Sequence, residues 1–193
     1  STLYKAGAKT LRIAIGDNLL SKPFASDLMR LNKSFIVKRS VSQPRKLLAA
    51  LKKLSKYIWH SLNEEGQHIW IAHREGRAKD GWDASEPAII KMLTITQPKD
   101  VSFTDYIRAL SIVPVAISYE FDPCDRDKAR ELTVKAAGEE YIKGEHEDLA
   151  SIGKGIGGRK GKVTLVFGQP LEAEFDSPEA VAKALDEAIV SQY

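Results

Sequence analysis

Apolar residues cluster in five short runs, and the stretches between them carry helical periodicity. Arg12–Gly16, Ser34–Val37, Gln67–Ala72, Ser111–Tyr119 and Lys162–Phe167 read as strands. The fourth run is apolar enough for burial on both faces. Pro114 inside it offers no ladder donor, which predicts a bulge or local gap. Pro44 to Asn63 is the clearest helix: Leu47, Leu51, Leu54, Ile58 and Leu62 form one apolar stripe, and Gly66 is placed to end it. Ser85-Glu86-Pro87 reads as the N-cap and first turn of a helix to about Thr94. Ser102 with Asp105 opens another to Leu110, Asp standing in for the Glu or Gln of a capping box. Asp125 to Lys143 predicts a charged helix with Gly138 as its weak point, and Ser177-Pro178-Glu179 caps a last helix to about Ser191. Strands separated by helices predict an α/β fold. The expected architecture is a mixed, largely parallel central sheet flanked by helices, in a single domain spanning residues 1–193.

Composition narrows the class. The chain has 193 residues, 43% hydrophobic and 28% charged, a mix that excludes disorder, collagen and coiled coil. No apolar run approaches the ~18–20 residues of a membrane span. Ser1 to Lys9 lacks the apolar core of a signal peptide. A single cysteine, Cys124, excludes a disulfide framework and a cysteine-based zinc site, and predicts a reducing, cytoplasmic setting. Charge changes the picture more. From Ser1 to Leu62, thirteen Lys or Arg face two Asp; from Asn63 onward, sixteen face twenty-four acidic residues. The net +3 therefore hides a balance of +11 followed by −8. Such a basic third predicts an anionic partner — a phosphate substrate, an anionic membrane surface or nucleic acid — or else a solvated basic face. The helix from Pro44 carries Arg45, Lys46, Lys52, Lys53 and Lys56, and a helix of that kind either lies on a membrane surface or packs its apolar stripe on a sheet. Nucleic acid is the least favoured partner, because no RNP-type, helix-turn-helix or zinc signature is present.

Three segments carry candidate chemistry. Gly153-Lys-Gly155-Ile-Gly-Gly158 has the spacing of a dinucleotide fingerprint, but it precedes a strand instead of following one. It reads as a flexible turn or hairpin. The segment from His73 to Gly81 follows an apolar strand and packs His73, Arg74, Glu75, Arg77, Lys79 and Asp80 closely together. A polar, glycine-punctuated loop at the carboxyl end of a strand is where open α/β sheets bind ligands, and Arg77 and Lys79 suit a phosphate. Lys38-Arg39-Ser40 stands at the end of Phe35-Ile-Val37, the same kind of place, so two basic strand-end loops can converge on one anion.

These residues, in order, resemble the glycerolipid acyltransferases, the group containing glycerol-3-phosphate and lysophosphatidic acid acyltransferases. Ile13-Ala-Ile-Gly16 through Phe35-Ile-Val-Lys38-Arg39-Ser40 resembles the family's second block, an apolar strand ending in a phosphate-holding arginine. Arg74-Glu75-Gly76-Arg77-Ala78-Lys79-Asp80-Gly81 resembles the third block, Glu-Gly-(Thr or Gly)-Arg-Ser-Arg, and Ile112-Val-Pro114-Val-Ala-Ile117 the proline-centred fourth. The similarity runs from about Ile13 to Leu171. Two registers fit the third block. One matches Glu75-Gly76 to the family's Glu-Gly with a residue missing before Arg77; the other anchors on Arg77 and Gly81 and sets Arg74 where the family has Glu. The family's first block, His-x-x-x-x-Asp, is absent: His60, His68, His73 and His146 are followed five positions on by Glu65, His73, Ala78 and Ser151.

The resemblance implies transfer of a fatty acyl group from an acyl-CoA or acyl-carrier-protein thioester to a hydroxyl of glycerol 3-phosphate or lysophosphatidate. It implies no metal and no cofactor. Lys38, Arg39, Arg77 and Lys79 would hold the acceptor's phosphate, with Glu75, Gly76 and Gly81 shaping the loop. The general base would be the missing His, oriented by the missing Asp. The chain is therefore expected to be an N-terminally truncated fragment, peripheral to an anionic membrane and inactive by itself. The competing expectation is a non-catalytic lipid- or phosphate-binding protein with the same fold.

Overall fold

The computed structural model describes residues 2–5, 7–17, 27, 31–38, 41–73 and 84–193. The protein is mixed α/β. Its described elements run α1 (Thr2–Lys5), β1 (Arg12–Gly16), β2 (Ser34–Val37), α2 (Pro44–Asn63), β3 (Ile69–Trp70), α3 (Pro87–Thr94), α4 (Phe103–Leu110), β4 (Val115–Tyr119), α5 (Asp125–Ala136), α6 (Glu147–Gly157), β5 (Val163–Phe167) and α7 (Pro178–Val190). All five expected strands form, but in two sheets: a parallel one of order β2-β1-β3 and an antiparallel β4-β5 pair. The described residues fall into two compact units. The first takes residues up to 75 together with 85–112 and 170–184; the second takes 76–84, 113–169 and 185–193.

In the first unit, β1 is the central strand, with Ile13 to Gly16 opposite Ser34 to Val37 and Arg12 opposite Ile69. α2 links β2 to β3. It runs for 20 residues, and Gly66, at φ +58, takes the left-handed conformation needed to turn the chain away. Arg12 and Phe35 meet it from the sheet: the Arg12 guanidinium donates to Ser61 Oγ at 2.6 Å and pairs with Glu65, and the Phe35 and Tyr57 rings lie 5.2 Å apart. The Glu65 hydrogen bond outweighs desolvation and raises the Arg12 pKa. Ile58, Tyr106, Ile107 and Val181 are at most 1% exposed and form the centre of this core. Tyr106 stacks on Trp59 at 4.4 Å and 14°. Ser102 caps α4 as expected, accepting from the Asp105 N–H at 3.0 Å, while its own hydroxyl donates to the Asp105 carboxylate.

Ser55 is fully buried in α2, and its hydroxyl answers a specific need. It donates to the Leu93 carbonyl at 2.8 Å and sits 2.7 Å from Thr96 Oγ1. Leu93 lies in the last turn of α3, where carbonyls have no intrahelical partner. Ser55→Ala should leave that carbonyl unpaired in the core and lower stability by about 1–3 kcal/mol, read as a drop in urea midpoint at constant slope.

A weaker tie joins α3 to α7, where Lys91 Nζ donates to Glu179 at 2.7 Å on an exposed surface. That bond first, then a backbone N–H, holds the Glu179 carboxyl below its usual range. A lowered folded pKa gives stability that is present above the ordinary carboxylate range and fades as pH falls through the folded value. Lys91→Met should therefore lower the thermal midpoint slightly at neutral pH, with wild type and variant converging in acid.

In the second unit, β4 and β5 pair from Val115↔Phe167 to Tyr119↔Val163. This register gathers Val115, Ile117, Tyr119, Val163, Leu165 and Phe167 on one face. β4 begins after Pro114, so the expected gap falls before the strand, not inside it. α5 ends at Ala136, earlier than the periodicity predicts, because Gly138 at φ +80 carries the chain out of the helix. One expectation is corrected. Residues Gly153 to Gly157 are not a turn but the end of α6, and Gly158 is its extended C-cap. Contacts outside the segment hold this helix: Cys124 Sγ donates to the Ser151 carbonyl at 3.5 Å, and Lys154 pairs with Asp127 at 2.6 Å. Cys124 is buried there, which suits packing and not nucleophilic chemistry.

Candidate functional site

Parallel strands send their carboxyl ends to one edge of a sheet. Here that edge receives Asp17 after β1, Lys38 after β2 and His73 after β3. The strand order adds a second condition. The chain leaves β1 for β2 on one side and returns to β3 on the other, so the connections diverge between β1 and β3. Such a switch point opens a crevice at the carboxyl edge, the usual ligand position in open parallel sheets.

Several described polar side chains stand at this edge. Lys38 is exposed and makes no ion pair with a described residue. His73 is half-buried, and its Nδ1 lies 2.9 Å from the hydroxyl of the buried Ser85. The Glu86 N–H donates to the His73 carbonyl, also at 2.9 Å. Together these two bonds fasten the two stems of the 74–84 segment, one just before it and one just after. Both stems therefore stand at the carboxyl end of β3. Sequence assigned Ser85 a different task, capping the following helix. The cap position belongs instead to Glu86, which makes no side-chain cap bond, and Ser85 turns to His73. Nothing in the spacing signals the pair, since twelve positions separate the two residues.

Of the sequence-derived site residues, Lys38 is described and lies at this edge. Arg39, Glu75, Gly76, Arg77, Lys79 and Gly81 lie outside the described residues. His60 and Glu65, the nearest approach to a His-x-x-x-x-Asp pattern, sit at the opposite edge. Glu65 pairs with Arg12, the first residue of β1, and His60 bonds chiefly to Glu64 at 2.8 Å. They cannot serve the same crevice as Lys38.

Two surface grooves exist elsewhere in the first unit. One, about 330 Å³, is lined by Lys56, Trp59, His60, Thr96, Pro98 and Tyr106; the other, about 350 Å³, by Arg108, Ser111, Pro170, Leu171 and Glu172. Neither uses a residue of the carboxyl edge. Among the described residues no group of three or more His, Cys, Asp or Glu side chains is placed to hold a metal ion. Among them too, no helix is long and apolar enough to cross a membrane. The chain matches no protein-family model, and no curated protein matches it.

Proposed function

We propose that this chain is the acceptor-binding core of a glycerolipid acyltransferase, working in the cytoplasm at the periphery of a membrane. One observation carries the reading: Lys38 and the fastened stems of the 74–84 segment stand at one carboxyl edge, beside the β1/β3 switch point. Lys38 and the described neighbours of the 74–84 segment thus stand where a parallel sheet binds ligands. Lys38, Arg39, Arg77 and Lys79 hold the phosphate of glycerol 3-phosphate or lysophosphatidate. His73 and Ser85 fix the ends of the segment that carries Arg77 and Lys79, so less conformational freedom is lost when the anion binds.

The chemistry is attack of the acceptor hydroxyl on the carbonyl carbon of an acyl thioester. The new ester bond forms, the thiol departs, and the hydroxyl proton passes to a general base. In the family that base is the His of His-x-x-x-x-Asp. None of the four histidines in this chain has Asp five positions on. This favours a second reading, phosphate or lipid binding without turnover.

Calorimetric titration with glycerol 3-phosphate tests both. The acyltransferase core binds it, and binding weakens in Arg39→Ala and in Arg77→Ala. A chain that binds no glycerol 3-phosphate sinks the acceptor site and both readings with it. Release of free thiol from acyl-CoA in the presence of acceptor, by this chain or by a longer one containing the first block, separates catalysis from binding alone.

A further inference from the structure

α2 carries five cations with no acidic residue to offset them. Arg45, Lys46, Lys52, Lys53 and Lys56 are all exposed. None of the five pairs with a described residue. Arg45, Lys52, Lys56 and His60 follow one another at seven, four and four residues, and Lys46 and Lys53 stand beside them, so the cations share one face. Leu54, Ser55, Ile58 and Ser61 are buried on the opposite side. The charged face therefore turns directly away from the core.

Two further features show what kind of surface this face fits. From Pro44 to Lys53 Leu47, Ala50 and Leu51 are half-buried and the other seven residues are exposed, so the amino-terminal half of the helix is covered on one side only. Leu48, 45% exposed, and Tyr57, 38% exposed, flank the cations on either side. We propose that this face of α2 docks on an anionic lipid bilayer with its axis along the surface. The cations meet the headgroups, and Leu48 and Tyr57 enter the boundary between headgroups and acyl chains. From Arg45 to Lys56 the charged line is about 16 Å long at 1.5 Å per residue, matched to several headgroups at once. Clusters of four to eight cations on an amphipathic helix are the usual signature of anionic-lipid recognition. A nucleic acid fits less well. Four of the five cations are lysines, which act as point charges, whereas base readout uses the paired donors of Arg, Asn and Gln. Exposed Leu48 gains nothing from a phosphate backbone. The inference rests on the acyltransferase reading for the membrane as workplace, and on α2 for the face.

Vesicle flotation with the whole chain tests it, using phosphatidylcholine vesicles with and without 30% phosphatidylglycerol, a mole fraction on the order of that in anionic membranes. Binding should require the anionic lipid and fall steeply with added salt. The triple variant Lys46→Glu, Lys52→Glu, Lys53→Glu should lose at least a hundredfold in partition constant, at about fivefold per cation removed. Reversing Lys99, Arg126 and Arg130 changes net charge equally and should cost less than a tenth of that. Leu48→Ser should weaken binding severalfold with the salt dependence unchanged. Failure to bind anionic vesicles overturns the proposal, as does equal loss in the two triple variants. Tighter binding to a DNA or RNA duplex, lost in the same α2 variant, gives the face to nucleic acid instead. The flotation uses none of Arg39, Arg77 or Lys79, and the glycerol 3-phosphate titration uses none of the α2 cations, so either result can fail without the other.

Discussion

Tyr106→Ala is expected to destabilise the first unit by about 3–5 kcal/mol, the range for deleting a large buried aromatic ring. Tyr106→Phe is expected to do the reverse and raise stability by about 1 kcal/mol. The contrast follows from how the ring and the hydroxyl are placed. The ring is 1% exposed and stacks on Trp59, so truncation leaves a cavity between α2 and α4 and strips one face of the indole. The hydroxyl is buried and has no hydrogen-bond partner among the described residues. A buried donor left unmatched works against folding, and phenylalanine removes it while keeping the shape. Urea unfolding followed by tryptophan fluorescence measures both variants. A Tyr106→Phe variant that is less stable than wild type shows that the hydroxyl has found a partner.

Arg39→Ala combined with Arg77→Ala is expected to weaken glycerol 3-phosphate binding by a hundredfold or more. A hydrogen bond to a charged group contributes about 1.5–3 kcal/mol, so each arginine accounts for roughly ten- to a hundredfold. Each single variant should lie in that interval. If the two sit on one phosphate, their effects should couple, and the double-mutant cycle should show an interaction energy of at least about 0.5 kcal/mol. Strict additivity would place them on different parts of the acceptor. Lys38→Ala should cost less, because an exposed ammonium works as a screened point charge and not as a planar fork. Arg→Lys at positions 39 and 77 separates charge from geometry: recovery of most of the affinity would show that charge alone suffices.

The sequence made some features plain and hid others for physical reasons. α2 was legible almost to the residue, because twenty positions of unbroken periodicity and a glycine with positive φ leave little choice. The Ser102 cap was legible because its bond is local. β3 was read as six residues and is two, since apolar composition marks burial while ladder length depends on the neighbouring strand. The glycines of α6 were misread for the same kind of reason. Glycine propensity favours a turn, but Tyr141 and Gly144 both donate to Glu147 in the first turn, and Asp127 holds Lys154 near the end. Side-chain bonds at both ends, one of them spanning 27 positions, overruled the local preference. The candidate site divides along the same line. Basic strand-end positions are visible in one dimension, so Lys38 and the 74–81 segment stand out. The His73–Ser85 bond needs a chain reversal that no spacing rule announces.

The first unit has a further property that bears on how the chain is made. Its core is not closed by residues up to 112; Val181, Ala182 and Phe175 complete it. The side chain of Thr104 grips the backbone of Phe175 in both directions, and Arg108 holds the Glu172 carbonyl. A nascent chain that has finished β1 through α4 must wait for the ribosome to add some seventy residues. At about 5–20 residues per second that is roughly 3–14 s before Thr104 and Arg108 meet their partners at Phe175 and Glu172. Slower translation across residues 113–169 is therefore expected to lengthen the wait for Phe175, Val181 and Ala182, measurable as greater chaperone capture of the nascent chain.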